Sequence, residues 1–221
     1  KRLTRVPITE LSKLPEVAAI DDREFIKAGL ESHDKALIIK DGWIRDPYIV
    51  ASPDGEYYLT GTTPLNDEEW KNKDPYNIGL GEYSCVGWKA HIWKSKDLID
   101  WELIENAFSL KDGIWAEVKS ERFDETDSDK WLLWAPEIHW IGNRWALVHT
   151  SPFPVNGANL SLSNGFEPVG PWENPMGAKI GRRHDPSLFQ DDDGSWWLIW
   201  GATQIAKLKP DFSGLETDPI K

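Results

Sequence analysis

Apolar and polar residues alternate with period two in short runs along most of the chain, and Gly, Pro, Asn and Asp bound these runs. Such alternation places successive side chains on opposite faces of a β-strand. Helical spacing is confined to the first part of the chain, with candidate helices over 9–20, which Pro15 interrupts, and over 21–30. The pattern therefore predicts an N-terminal segment over residues 1–38 and an all-β body over 39–221.

Two segments of the body share one order of strand, turn and strand. Asp46 precedes a proline, and an Asp-Gly pair begins eight residues later at Asp54. Asp185 also precedes a proline, and an Asp-Gly pair again begins eight residues later at Asp193. Because Gly supplies the positive φ that a tight turn requires, each copy predicts a β-hairpin.

A weaker third copy lies between these two, and its carboxylate, Glu137, follows a proline instead of preceding one. Further alternating segments predict outer strands beside each hairpin. Units of four antiparallel strands are typical of β-propeller blades. The sequence predicts three blades, over about 39–118, 130–175 and 183–221.

Three blades do not close a propeller, since typical rings contain four to eight, and an open stack exposes unpaired sheet faces. We therefore expect the remaining blades to come from C-terminal polypeptide beyond this sequence or from another chain. The inserts over 64–85 and 114–130 show no strand pattern and are predicted to be surface loops.

Three carboxylates stand near the start of the predicted first strands: Asp46, Glu137 and Asp185. The first strand of each blade runs beside the propeller axis, so these side chains are expected to face one central pocket. Like charges brought together oppose ionisation of at least one member, a conflict that active sites use to separate carboxylate pKa values. A single Asp-Pro pair most often opens a strand, whereas matched pairs in two repeats favour a catalytic role.

Three motifs resemble, in order, the blade motifs of glycoside hydrolase family 43: Trp-Ile-Arg-Asp-Pro-Tyr-Ile from Trp43, Trp-Ala-Pro-Glu-Ile from Trp134, and His-Asp-Pro-Ser-Leu-Phe-Gln-Asp-Asp-Asp-Gly from His184. The resemblance covers about residues 40–221. It implies a five-bladed β-propeller, of which this chain holds about three blades. It also implies an inverting glycosidase, since the family contains chiefly β-xylosidases, α-L-arabinofuranosidases and arabinanases.

By the same resemblance, Asp46 matches the general base that activates water, and Asp185 matches the carboxylate that orients the general acid and tunes its pKa. The family's general acid is a Glu in a Glu-Gly-Pro motif, which this sequence does not contain. We expect that acid in polypeptide beyond Lys221. Glu137 is a weaker substitute, because its motif matches a position that the family does not use for acid catalysis.

The chain has an unusual aromatic content of 14 Trp, 5 Tyr and 7 Phe, which favours either packing between sheets or stacking on sugar rings. For six tryptophans on predicted strands, packing between blades is the better interpretation: Trp93, Trp101, Trp145, Trp172, Trp196 and Trp197. The residues that flank the acidic motifs are predicted to bind substrate: Arg45, Trp43, Trp134, Glu137 and His184. The predicted reaction is release of xylose, arabinose or a similar sugar from a plant or algal polysaccharide or oligosaccharide, with inversion.

The formal net charge of −12 argues against nucleic acid or an anionic membrane as partner. A single cysteine, Cys85, excludes a Cys-rich metal site, and no His pair has metal-ligand spacing. No cofactor is required, although the resemblance is compatible with a structural calcium ion. The acidic runs over 124–129 and 191–194 are interpreted as a solvated loop and a hairpin turn.

A second function class stays open at this point. The scaffold could be a non-catalytic propeller that binds carbohydrate or protein and has lost its general acid. Because polysaccharides are degraded outside the cytoplasm, the predicted substrate favours a secreted or periplasmic location.

Overall fold

The computed structural model describes residues 23–32, 43–65, 85–111, 131–182 and 184–220. The chain divides into two compact units, Lys1–Asp41 and Gly42–Lys221. In the first unit, helix α1 runs over Arg23–Ser32, with Glu24 in its first turn, where a carboxylate is favourable. The sequence placed this helix two residues earlier, at 21–30. The candidate helix over 9–20 lies outside the described residues.

The described part of the second unit is built of β-strands. Their bounds are β1 (Arg45–Ala51), β2 (Tyr57–Thr62), β3 (Lys89–Ser95), β4 (Glu102–Ser109), β5 (Leu132–Trp140), β6 (Trp145–Phe153), β7 (Gly157–Ser163), β8 (Trp172–Glu173), β9 (Ser187–Gln190), β10 (Trp196–Trp200) and β11 (Gln204–Lys207).

These strands form three antiparallel sheets in which neighbours in the sheet are neighbours in the chain. The first sheet has the order β1-β2-β3-β4, the second β5-β6-β7-β8 and the third β9-β10-β11. This simple meander is the arrangement of strands in a propeller blade. The prediction of an all-β, partial propeller with about three blades is confirmed, whereas the limits of the individual segments remain predictions.

The predicted hairpin turns are present between the first two strands of the first and third sheets. Gly55 and Gly194 have φ of 85° and 83°, which only glycine adopts without strain. The Asp191 amide donates to the Ser195 carbonyl at 2.9 Å, and the Gly194 amide donates to the Asp191 carbonyl at 2.8 Å. The acidic run over 191–194 is therefore a turn, as expected.

Strand β6 lies at the centre of the packing, because both of its faces are buried. Its residues Trp145 and Leu147 pack with Tyr58 and Ile92 of the first sheet. The alternate residues, Ala146 and Val148, pack in the cluster that contains Leu198 and Trp200 of the third sheet. A strand that is buried on both faces need not alternate apolar and polar residues, and the apolar run over 145–148 shows this.

The third sheet is buried on one face only. Leu198 and Trp200 of β10 are buried, whereas Ile199 between them is 37% exposed and Phe189 of β9 is 36% exposed. The Phe189 ring stacks on Trp197 with its centroid 6.2 Å away, so the open face is apolar and aromatic. None of the helices in the described residues is long and apolar enough to cross a membrane.

Candidate active site

Within or just before the first strand of each sheet lies a residue that has positive φ and precedes a proline. These residues are Asp46 (φ 51°), Ala135 (φ 43°) and Asp185 (φ 55°). Left-handed backbone is uncommon for residues other than glycine and costs about 1–3 kcal/mol, so its recurrence at three equivalent places marks a constrained region. The ladder register is interrupted at the first two of these residues, between Arg45 and Tyr48 and between Trp134 and Glu137.

Threonines on the second strands connect these positions from one sheet to the next. The amide of Ala135 donates to Oγ1 of Thr62, at the end of β2, over 2.7 Å. The amide of Asp185 donates in the same way to Oγ1 of Thr150 on β6, over 2.8 Å. Both threonines are fully buried. The second sheet is therefore bonded directly to the backbone of Asp185 and, through Thr62, indirectly to the side chain of Asp46.

The Asp46 carboxylate is held on one side and open on the other. Its Oδ2 accepts a hydrogen bond from Oγ1 of Thr62 at 3.3 Å and lies 3.6 Å from Nε of Arg45. The Asp46 side chain is nevertheless 52% exposed. Neighbouring strand residues normally point to opposite faces, and the left-handed backbone at Asp46 removes that alternation. This is why Arg45 reaches the carboxylate of the residue beside it.

Arg45 itself rests on Trp43. The guanidinium carbon lies 5.8 Å from the centroid of the Trp43 ring, within the range of a cation–π contact. The Trp43 side chain is only 8% exposed, in a cluster with Cys85, Val86 and Leu132. The geometry makes Trp43 a support beneath Arg45.

Asp185 is exposed, and the residue before it forms part of an aromatic wall. The rings of His184 and Trp134 stack with centroids 6.0 Å apart and planes 28° from parallel. His184 is exposed and Trp134 is partly buried. Two stacked rings beside an exposed carboxylate form the kind of surface that contacts the apolar face of a sugar.

Glu137 does not occupy the position equivalent to Asp46, contrary to the expectation from sequence, because Ala135 stands there. The Glu137 Oε2 accepts hydrogen bonds from Oγ of Ser187 at 2.7 Å and from Nε2 of His139 at 3.0 Å. In the neutral His139 ring, Nδ1 is then the acceptor for the Tyr48 hydroxyl, 3.2 Å away. This network links the first strands of all three sheets.

Burial and the nearby Glu137 carboxylate raise the pKa of Tyr48 to about 12. The Tyr48 hydroxyl therefore keeps its proton at any physiological pH and remains a donor. Glu137 is thus engaged within the protein, whereas Asp46 and Asp185 present exposed carboxylates.

The threonines and the partners of Glu137 in this network, Tyr48, His139 and Ser187, are not among the residues predicted from the sequence. A signal for the threonines is present, since Thr62 and Thr150 each stand five residues after an aromatic residue that opens the second strand, Tyr57 and Trp145. Tyr48 and His139 are 91 residues apart, and their contact has no local signal.

Metal ligation receives no support from the described residues, which contain no group of three or more His, Cys, Asp or Glu arranged to hold an ion. The acidic run over 124–129 and nearly all of the predicted insert loops lie outside the described residues. We therefore derive no chemical step from calcium.

Comparison with protein families matches residues 37–219 to the family described as Glycosyl hydrolases family 43. A curated relative, "Xylosidase/arabinosidase 43B" of Humicola insolens, is 28% identical over 139 residues, which is 58% of this chain and 24% of the relative. The "Extracellular exo-alpha-(1->5)-L-arabinofuranosidase ArbA" of Cellvibrio japonicus is 27% identical over 55% of this chain and 38% of its own length. The chain thus spans well under half the length of these relatives.

Solved structures with the same fold include "Native Bacillus subtilis Arabinanase Arb43A", with a TM-score of 0.54 at 18% identity over 82% of this chain and 57% of that chain. An exo-1,5-alpha-L-arabinanase from a bovine ruminal metagenomic library has a TM-score of 0.53 at 20% identity over 84% and 57%. Likeness at this level of identity shows the fold.

Proposed function

This chain belongs to glycosyl hydrolases family 43, and we propose that it carries the general base and a second essential carboxylate of an inverting glycosidase. The observation that supports this most strongly is the matched placement of Asp46 and Asp185. Both stand on left-handed backbone at the start of a first strand, and threonines tie both to the sheet between them. The proposed substrate is a plant or algal polysaccharide or oligosaccharide, and the proposed product is xylose, arabinose or a similar sugar.

In the proposed reaction, water attacks the anomeric carbon while Asp46 accepts a proton from it. The bond from that carbon to the leaving oxygen breaks, and a general acid gives its proton to this oxygen. Such inversion requires the base and the acid about 6.5–9.5 Å apart, with water and sugar between them. Asp46 suits the base because its carboxylate is anchored through Oδ2 and is still half exposed.

Asp185 is proposed to orient the general acid and to raise the pKa of that acid through charge repulsion. The acid itself is proposed to lie in polypeptide outside this sequence, because the Glu-Gly-Pro motif is not within it.

The sugar is proposed to lie against the stacked rings of Trp134 and His184, with Arg45 donating hydrogen bonds to its hydroxyls. Trp43 is proposed to act through Arg45, whose guanidinium it supports. Glu137 is proposed to form the floor of the pocket through its bonds to Ser187 and His139.

Further blades are proposed to cover the open apolar face of the third sheet, from additional polypeptide or from another chain. Ile199, Phe189 and Ile220 on this sheet are 37%, 36% and 58% exposed, which is costly for an aqueous surface. Because relatives include proteins named as extracellular, a secreted or periplasmic location is proposed.

The test is hydrolysis of aryl xylosides and arabinofuranosides by the full-length protein and by Asp46→Asn. The matched control is Asp192→Asn, because Asp192 is an exposed carboxylate in the turn at the other end of β9 from Asp185. Asp46→Asn should lose nearly all turnover while Asp192→Asn retains it. Equal turnover of Asp46→Asn and wild type would remove Asp46 from the mechanism. Sugar binding by a wild-type protein without turnover would favour the non-catalytic binding module instead.

A further inference from the structure

Thr62 combines two hydrogen bonds that no other described threonine combines. Its Oγ1 accepts from the amide of Ala135 on the second sheet at 2.7 Å and donates to Oδ2 of Asp46 on the first sheet at 3.3 Å. The side chain is completely buried. A hydroxyl has one proton, and here the amide approaches as a donor, so the proton is directed to the carboxylate.

These contacts orient the Asp46 carboxylate. Among the described residues, the partners of this carboxylate, Thr62 and Arg45, both contact Oδ2. The other oxygen, Oδ1, is then the one available to accept a proton from water. Because Thr62 is buried and fixed by the second sheet, the direction of Oδ1 depends on the packing of two blades and not on Asp46 alone.

Thr150 shows which part of this arrangement the fold itself requires. Oγ1 of Thr150 accepts a hydrogen bond from the amide of Asp185 in the same way. In the sheet of Thr150, however, the position equivalent to Asp46 is Ala135, which has no carboxylate to receive the proton of the Thr150 hydroxyl. The link between neighbouring sheets therefore needs only a hydroxyl acceptor. Of these two links, only the one at Thr62 also donates to a carboxylate. The packing of the sheets therefore does not account for the donation to Asp46.

We propose that Thr62 is a positioning residue for Asp46, holding Oδ2 so that Oδ1 faces the attacking water. This inference rests on the proposed role of Asp46 as general base. Loss of the hydroxyl should lower the rate of the chemical step and leave sugar binding nearly unchanged, because Thr62 is buried and does not reach the sugar.

The experiment compares kcat and KM of the full-length protein with those of Thr62→Val, Thr62→Ser and Thr60→Val. Thr60 is the matched control, since it is equally buried on the same strand and donates to a backbone carbonyl, that of His91 at 2.9 Å, instead of to a carboxylate. Thermal midpoints measured on the same samples show how much each substitution costs in stability.

We expect Thr62→Val to lower kcat about tenfold to a hundredfold with KM within about twofold, since small displacements of a catalytic group have costs of this size. Thr62→Ser keeps the hydroxyl and should restore most of kcat. Thr60→Val should lose a similar amount of stability and keep wild-type kcat. Wild-type kcat in Thr62→Val, or an equal loss in Thr60→Val, would overturn the proposal.

Combination with Asp46→Asn separates this proposal from the one on which it rests. If Thr62 acts through Asp46, adding Thr62→Val to Asp46→Asn lowers the residual kcat no further. A further drop of the same size as in wild type means that Thr62 acts independently, which overturns the positioning role while Asp46 remains the base. Full activity of Asp46→Asn alone would overturn both assignments.

Discussion

The left-handed positions of β1 and β5 have the same backbone and different chemistry. Asp46 and Ala135 have φ of 51° and 43°, both precede a proline, and both belong to an interruption of the ladder register. At Asp46 the position carries an exposed carboxylate, whereas at Ala135 it carries a methyl group. Because the strained backbone is retained where no carboxylate is present, we infer that the fold maintains it and that the Asp46 side chain adds the proposed general base.

The residues immediately before these positions differ in the same way. Arg45, Trp134 and His184 precede the left-handed residues of the three sheets, and they supply a guanidinium and two stacked rings. The left-handed position of each sheet thus carries a carboxylate or none, and the residue before it is the one that we propose contacts the sugar. We therefore expect substitutions of Asp46 and Asp185 to affect catalysis and substitutions of Ala135 to leave it unchanged.

The largest effect is expected from Asp46→Ala, which makes the first sheet like the second. Loss of a general base should lower kcat about a thousandfold. Sodium azide should restore part of the rate, because azide attacks the anomeric carbon without losing a proton. Product analysis with and without azide provides the measurement. Wild-type turnover of Asp46→Ala would show that the carboxylate at this position is not needed for catalysis.

Asp185→Ala is expected to lower kcat about a hundredfold, since it removes the group that is proposed to orient the acid. Folding should be little affected, because the bond to Thr150 is donated by the backbone amide, which alanine keeps. Initial rates and thermal midpoints check both parts. A large loss of stability together with a small loss of kcat would assign Asp185 a structural role.

An effect on stability is expected at His149, which precedes Thr150 on β6. His149 is fully buried, and burial lowers its pKa from 6.5 to about 4. At a pH between these two pKa values, His149 binds a proton in the unfolded chain but not in the folded protein. The free energy of unfolding therefore decreases as the pH falls from about 6.5 towards 4. From pH 7 to pH 5 this loss is about 2 kcal/mol.

The variant His149→Leu should lack this component of the pH dependence. Urea unfolding of the wild type and the variant at pH 7 and pH 5 gives the difference. Parallel losses of stability in both proteins would mean that His149 does not contribute to acid sensitivity.

A smaller effect is expected at the aromatic wall. His184→Ala removes an exposed ring that stacks on Trp134, so KM should rise about threefold to tenfold, the range that one stacking contact supplies. His184→Phe keeps a flat ring and should keep KM near the wild-type value. An unchanged KM in His184→Ala would exclude the ring from the sugar subsite.

The smallest effect is expected from Ala135→Gly. Glycine adopts positive φ without strain, which offsets its greater freedom in the unfolded chain, so stability should change by less than about 1 kcal/mol. The amide that donates to Thr62 is retained, and kcat should stay at the wild-type value. Thermal unfolding and initial rates provide the measurement, and a hundredfold loss of kcat would show that the second sheet has a chemical role at this position.

The features that could be predicted from sequence are those with local signals. Asp-Gly turns and alternating runs indicated the hairpins, and the repeat of Asp-Pro pointed to Asp46 and Asp185. In the second sheet, the sequence predicts Glu137 as the equivalent of Asp46, whereas the structure has Ala135 there, two residues earlier. The prediction relied on the carboxylate of Glu137, and Ala135 has no side chain that would mark the position.

The contacts that complete the site could not be predicted, because they join residues far apart in the chain. The amide of Ala135 and the hydroxyl of Thr62 are 73 residues apart, and Tyr48 and His139 are 91 apart. Such pairs form through the packing of separate sheets. Only the coordinates show that the hydroxyl serving the sheet-to-sheet link also reaches a carboxylate.

Asp46 and Asp185 are proposed to belong to one pocket that hydrolyses glycosides with inversion. The most direct measurement is proton NMR of the sugar released by the full-length protein, recorded before the product mutarotates. The first product is expected to have the anomeric configuration opposite to that of the substrate. A first product with retained configuration would contradict it.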